Sequence, residues 1–400
     1  MRNPLPVATA TQSTDAEIQL APSVALLSDP FRPLYLAGTA WAACVAAVWV
    51  FAPQLLRARL TGVAWHAHEM LWGFVATIAL GFLLTAGASW TGIRPIGQRA
   101  LGALCVLWLV ARVGFLVTEA VAFQLATLAE LLLFFLAAVA MGRAVFVARN
   151  RRNYAIPFLI AALGVADLAF LLAIWWGSDR AVLMQRLQVG LLCMALIALL
   201  ISRRVIPFFA TRAVPDLVIP MHVRTGQVQV AAASIAIVSL IVGMTSLQVV
   251  SLTVAGAIAL WQVLAWKPLA VRTRPLLWIL YLGYAGLGVG LIANAAQVAG
   301  VPMHRVLPVH LIAMAGFSVL IIGMVTRTAL GHLGRRMALD RSMVWSYGLI
   351  VAAALLRLGA LWPAAWAVHL LHLSTVAWVA AFGLYVGRFT PWMLRHTPTN

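Results

Sequence analysis

An all-α, polytopic integral membrane helix bundle of about twelve transmembrane helices is the fold class this chain predicts, and three features predict it. Hydrophobic residues make up 64% of the 400 and charged residues only 10%. Apolar runs of roughly 20 residues, the length needed to cross a bilayer, recur between short polar breaks. Arginine collects in every second break, as it does in the cytoplasmic loops of membrane proteins. A mean hydropathy of +0.98 excludes an ordinary soluble domain. The apolar runs are continuous, without two-residue alternation, and that excludes a closed β-barrel.

In chain order the spans are expected at 34–55, 66–89, 100–118, 120–142, 154–176, 182–201, 228–246, 248–266, 275–298, 306–326, 343–362 and 365–387, with the split near Gln248 the least marked. Gly and Pro inside them do not argue against helix, because neighbouring helices satisfy the freed backbone groups. The even-numbered breaks hold Arg94 and Arg99, then Arg143, Arg149, Arg151 and Arg152, then Arg203, Arg204, Arg212 and Arg224, then Lys267, Arg272 and Arg274, and last Arg327, Arg335, Arg336 and Arg341. The odd-numbered breaks hold only Arg57, Arg59, Arg180 and Arg305. This alternation places both chain ends in the cytoplasm (N-in and C-in) and accounts for most of the net charge of +18. Binding nucleic acid would need a solvated basic domain, and no stretch outside the spans is long enough to fold as one.

One transmembrane domain, 31–390, is expected, between a flexible cytoplasmic tail at 1–30 and a short cytoplasmic tail at 391–400. The first tail is polar and lacks the basic and apolar regions of a signal peptide. Cys44, Cys105 and Cys193 sit singly in apolar spans without CxxC spacing and read as small packing residues.

Chemistry must come from polar groups where lipid makes them costly. Under this topology six of the nine histidines lie near the outer surface: His66 and His68 open the second helix, His304 and His310 the tenth, and His369 and His372 sit one turn into the twelfth. Neutral imidazole is a common ligand of zinc, copper and haem iron. His369 and His372, three apart, share a helix face. His66 and His68, two apart, point about 200° from one another on a regular helix. Met70 and Met303 add soft donors for Cu(I). Singly, an outer-surface histidine reads as an interfacial residue beside Trp65, Trp362 and Trp366; six together point to a metal or haem site. Arg112, Arg186 and Arg357 fall in the outer halves of their helices. They either pair with Glu119, Glu130 or Asp167, or hold carboxylates of a bound cofactor such as haem propionates.

Several motifs resemble the NnrS family: Phe31-Arg32-Pro33, Trp65-His66-Ala67-His68-Glu69-Met70 running on to Gly73-Phe74 and Gly81-Phe82-Leu83-Leu84-Thr85, and Trp90-Thr91-Gly92. So do Ser202-Arg203-Arg204-Val205-Ile206-Pro207-Phe208-Phe209 and the stretch from His310 through Gly323-Met324-Val325-Thr326-Arg327 to Gly331-His332-Leu333-Gly334-Arg335. Where the family often has Pro-Asn before Trp-Thr-Gly, this chain has Ala88-Ser89. The resemblance covers about residues 31 to 390 and implies a bacterial inner-membrane protein that binds haem, of b type, and copper. It implies a part in the response to nitric oxide alongside denitrification, with nitric oxide or iron-nitrosyl species as the small-molecule ligand. Carried onto this chain it marks His66, His68, Glu69, His310 and His332, with Arg203, Arg204 and Arg327. Beside the Gly331 and Gly334 helix end, His332 reads either as a cap or as part of a second site on the cytoplasmic side. The competing classes are a twelve-helix secondary transporter without a redox cofactor, using Glu130 and Asp167 near mid-depth, and an assembly partner of an oxidase. A transporter keeps its function when His68 and His310 become alanine, whereas a cofactor protein loses its spectrum.

Overall fold

The computed structural model describes residues 25–395, all of the regular structure in that range being helical. Twelve long helices follow in order: α1 Phe31–Phe51, α2 Gly62–Thr91, α3 Gln98–Gly114, α4 Ala120–Val147, α5 Ala155–Trp175, α6 Arg180–Ala213, α7 Val223–Val242, α8 Thr245–Ala265, α9 Pro275–Val298, α10 Leu307–His332, α11 Arg341–Gly359 and α12 Ala367–Met393. Eleven are long and apolar enough to cross a membrane. The remaining one, α3, has 17 residues and reaches about 25 Å. It still exposes Val106, Leu109 and Val113, as a lipid-facing helix does. The molecule is a polytopic helical bundle. Apart from residues 25–30, the tail expected at 1–30 lies outside the described residues, as do positions 396–400 of the second tail.

Several boundaries differ from those read in the sequence: α4, α10 and α12 run on to Val147, His332 and Met393, and two further differences have a visible cause. The sixth helix continues to Ala213 instead of ending near 201, and Arg204 in the added stretch finds partners on the segment before α5: it donates to the Asn153 side chain at 2.9 Å and to the Arg152 carbonyl at 3.2 Å. The seventh and eighth helices part at Gly243, not at Gln248. Gly243 has φ 78°, a left-handed conformation that costs glycine little, and its N–H closes α7 on the Ser239 carbonyl. Asp179 and Asp340 cap α6 and α11 through the N–H groups of Val182 and Met343. The three cysteines are unpaired, and Cys44 is exposed rather than packed.

The helices form a closed ring of three quartets. The last helix of each quartet packs on the first of the next: α4 on α5, α8 on α9 and α12 on α1. Hydrogen bonds fasten the closure, Trp378 donating to the Ala42 carbonyl at 3.0 Å and Arg32 to the carbonyls of Met393 and Arg395 at 3.0 and 2.8 Å. The second helix of each quartet, α2, α6 and α10, lines the middle, where their side chains border a shared apolar cavity. Close approach of α9 and α10 depends on Gly286, where a Cβ would collide with the backbone carbonyl of Ala315. Gly286→Ala is therefore expected to lower stability by about 1–3 kcal/mol, since backbone has to move. Gly387→Ala in α12, where no atom of the described residues stands within 4 Å of the added carbon, should leave stability unchanged or slightly raised. Thermal unfolding in detergent checks both; equal losses would show that the α9–α10 contact is not the tight one.

Candidate functional site

Two of the central helices share an unusual shape. α2 runs as regular α-helix over Gly62–His68 and widens into a π-helical segment over Glu69–Ala76 before resuming. α10 does the same over Leu307–His310 and Leu311–Ser318. A histidine is the last residue before each widened segment. Widening shifts the hydrogen-bond ladder to i+5, and hydroxyls at the far end take up carbonyls there. Thr77 donates to the carbonyls of Trp72 and Gly73 at 3.2 and 2.8 Å, and Ser318 donates to that of Ala313 at 2.8 Å.

His66 and His68 leave α2 in different directions. His68 is 0% exposed, ringed by Trp72, Phe115 and Phe170 with centroids 5.0–5.9 Å away. Its Nδ1 lies 2.9 Å from Glu69 Oε1, and its Nε2 lies 3.0 Å from Asp167 Oδ1 and 3.7 Å from Glu130 Oε2. Arg112, 1% exposed, joins the same group from α3, with Nη1 2.7 Å from Glu69 Oε2 and Nη2 in close contact with Glu130. Trp41 on α1 donates to Glu69 at 2.6 Å. The network thus ties α1 to α5 together. Gly73 makes room for it, because a Cβ there would collide with the Arg112 guanidinium and stand 2.8 Å from Glu69 Oε2. His68, Glu130 and Asp167 each offer a ligand atom within 4.8 Å of the other two.

His66 faces the other way, into a cavity bordered by α1, α2, α6, α10, α11 and α12 whose empty space, including the part open to the outside, is about 1120 Å³. Its ring stacks on Trp49 at 5.1 Å and 17°, and its buried Nδ1 has no hydrogen-bond partner. His310 borders the same cavity, with Nδ1 2.9 Å from the Val306 carbonyl. A proton on Nδ1 then donates to that carbonyl and leaves Nε2 as a free donor atom, the arrangement that orients metal-ligating histidines. Among the described residues Arg357 is the one Arg, Lys, Asp or Glu on the cavity wall, and the rest is mostly apolar, including Met70, Met184 and Met314. A second apolar cavity continues between α2, α6 and α10, sharing Val75 and Phe317 with the first.

The NnrS protein family matches residues 25–396 of the chain. The chain belongs to the NnrS family. No curated protein matches it.

In this NnrS chain the residues singled out in the sequence separate into groups. His66, His310 and Arg357 share the cavity, and His68, Glu69 and Arg112 share the ion network. Arg112 pairs with protein carboxylates, so of the three intramembrane arginines only Arg357 faces the cavity. Arg186 is half-buried on α6 and borders neither group. His369 and His372 are exposed on α12, with His372 against Phe51 at 5.4 Å, while Ser374, Thr375 and Trp378 of the same helix line the cavity instead. His304 is exposed in the loop before α10. His332 ends α10 at the opposite, arginine-rich end of the bundle, its ring 5.4 Å from Phe31. Arg327 lies near that end too, its Cζ 4.0 Å over the Phe209 ring. Trp41 and Gly73 carried no sequence signal as part of a site; a glycine four residues after a buried glutamate is the trace they leave.

Removing one partner of a buried ion network leaves the others uncompensated, at about 3–5 kcal/mol. Arg112→Met should destabilise the protein by that order, and adding Glu130→Gln should recover part of the loss. Detergent unfolding of the single and double variants tests this, and a double variant weaker than the single by the full Glu130→Gln effect would deny the coupling.

Proposed function

We propose that this protein holds a haem in the cavity between His66 and His310 and a copper ion at His68, Glu130 and Asp167, and that it handles nitric oxide or iron-nitrosyl species there during nitrosative stress. The observation that carries the reading is a pair of imidazoles, on two separate central helices, facing one apolar cavity that contains a single arginine. An unpartnered buried nitrogen such as His66 Nδ1 costs about 1–3 kcal/mol unless a ligand or a turned ring satisfies it. Arg357, which forms no ion pair among the described residues, suits a haem propionate. Absence of a CxxCH attachment motif favours haem of b type.

The second site fits a divalent ion on its chemistry. One nitrogen and two carboxylates are donors that Cu(II) accepts, and Glu69 on His68 Nδ1 completes a carboxylate–histidine–metal arrangement. Glu69, Glu130 and Asp167 against Arg112 alone leave a formal charge of −2 while His68 is neutral, which a divalent cation cancels.

When bound, the haem iron and the copper supply positions at which nitric oxide can bind and exchange an electron. The chain's own residues hold those groups and shape their surroundings. Val306 fixes the His310 ring, Trp49 holds the His66 ring, and the apolar wall keeps water away. Nitric oxide is small and apolar, and the cavity between α2, α6 and α10 gives it a dry route through the centre of the bundle. With the arginine-rich ends of the helices in the cytoplasm, His66 and His310 stand on the outer side of a bacterial inner membrane.

Purified from haem-replete cells, the protein should show a Soret band that shifts with nitric oxide. His66→Ala and His310→Ala should each change or abolish it, whereas His369→Ala and His372→Ala should not. Asp167→Asn should lower the copper content measured by mass spectrometry while the Soret band persists. A colourless, metal-free but folded protein would sink the proposal and turn attention to the transporter class.

A further inference from the structure

We infer that a recess at the arginine-rich ends of α6, α9, α10 and α11 binds a phosphate-class anion. Its walls carry Arg212 from α6, Arg274 at the start of α9 and Arg327 from α10, around about 1090 Å³ of space that opens to the outside, and no Asp or Glu among the described residues borders it. Three arginines bordering one recess, with no carboxylate among the described residues on its wall, repel each other, and an anion between them removes that repulsion.

Arg327 makes this more than a patch of surface charge. It is 8% exposed, its Nε is buried without a hydrogen-bond partner, and it forms no ion pair among the described residues. Its guanidinium rests on the Phe209 ring at 4.0 Å, which holds the charge in place without neutralising it. A cation this deeply buried is costly unless paired. The acid nearest in sequence to the recess wall, Asp340 beside Leu339, is already committed: it lies 2.5 Å from Arg388 Nε and accepts from Ser342 and the Met343 N–H. Partial burial works to raise its carboxyl, but those three partners hold it below the usual carboxylate range, so it stays with them.

The first turn of α9 supplies a second attraction. Arg274, Pro275, Leu276 and Leu277 border the recess, so the positive end of a 24-residue helix points toward it. Planar guanidinium groups around a helix N-terminus match phosphate oxygens. A phospholipid head group and a soluble phosphate share this chemistry, and the position at a helix end admits either.

The full chain, delipidated in neutral detergent, is titrated with short-chain phosphatidylglycerol, short-chain phosphatidylcholine or inorganic phosphate while its unfolding temperature is followed. Saturable stabilisation by phosphatidylglycerol or by phosphate is expected, with half-saturation about tenfold weaker in Arg327→Gln and in Arg274→Gln. Arg274 is exposed, so that variant tests the site without disturbing the core. A response to phosphatidylglycerol alone identifies a lipid head group, and a response to phosphate identifies a soluble anion. Stabilisation that is absent, equal with phosphatidylcholine, or unchanged in both variants overturns the inference. Haem and copper play no part in this readout.

Discussion

Arg112 reaches two carboxylates, Glu69 and Glu130, in a region where every participant is at most 2% exposed. Each of these ions costs several kcal/mol to bury alone, so the helices that carry them cannot separate or slide without exposing an unpaired charge. That constraint fixes α2 against α1, α3, α4 and α5 at once, through Trp41, Arg112, Glu130 and Asp167. Apolar side chains facing lipid gain little from helix association, and a membrane bundle needs specific polar contacts and close packing to settle one arrangement. Here the network supplies the first and Gly73 the second.

The widened segments in α2 and α10 follow from the same need for precise placement. A π segment rotates everything beyond it and leaves carbonyls for side chains to satisfy. Both segments begin immediately after a histidine, so the residue before each is held by regular helix and the residues after it are re-aimed. The two helices are also related along the chain. Arg32-Pro33-Leu34 and Arg274-Pro275-Leu276, His68 and His310, and Gly81 and Gly323 recur at one constant separation. The first and third quartets share this frame, while α6, in the equivalent place of the second, has no histidine.

The number and approximate position of the helices were legible in the sequence because a bilayer imposes a minimum apolar length, and the family was legible in its motifs. Helix ends were less so. Arg204 looks like a loop residue until Asn153 is seen to bind it, and Gln248 looks like a break although α8 buries it in its first turn. The divergence of His66 and His68 follows from helical geometry alone. Which of them faces the cavity does not, since that depends on α3, α4 and α5 bringing Arg112, Glu130 and Asp167 to one side. For α12 the shared face of His369 and His372 was readable, but its direction was not. Ser374 and Trp378 turn inward because their donors bind the carbonyls of Ala353 and Ala42, and the histidines are carried outward. The trace of the π segments was a thirteen-residue spacing from histidine to glycine, too short a pattern to stand out against apolar background.

One turn of α2 therefore separates two surroundings of opposite electrical preference. On the His68 side three carboxylates face one guanidinium, and the balance favours a cation. On the His66 side the wall has Arg357 and, among the described residues, no carboxylate, and the balance favours a group that brings its own negative charge. Lipid and packed apolar side chains screen neither, so the preference of each side is stronger than the same charges would produce in water. Because the network clamps α2 from one side, the His66 ring on the other is presented from a rigid turn, and a ligand entering the cavity meets a donor that has little freedom left to lose. Exchanging Glu69 for glutamine would remove charge from one side only, yet it would loosen the turn that both sides share; the two surroundings differ in charge and are coupled through their mounting.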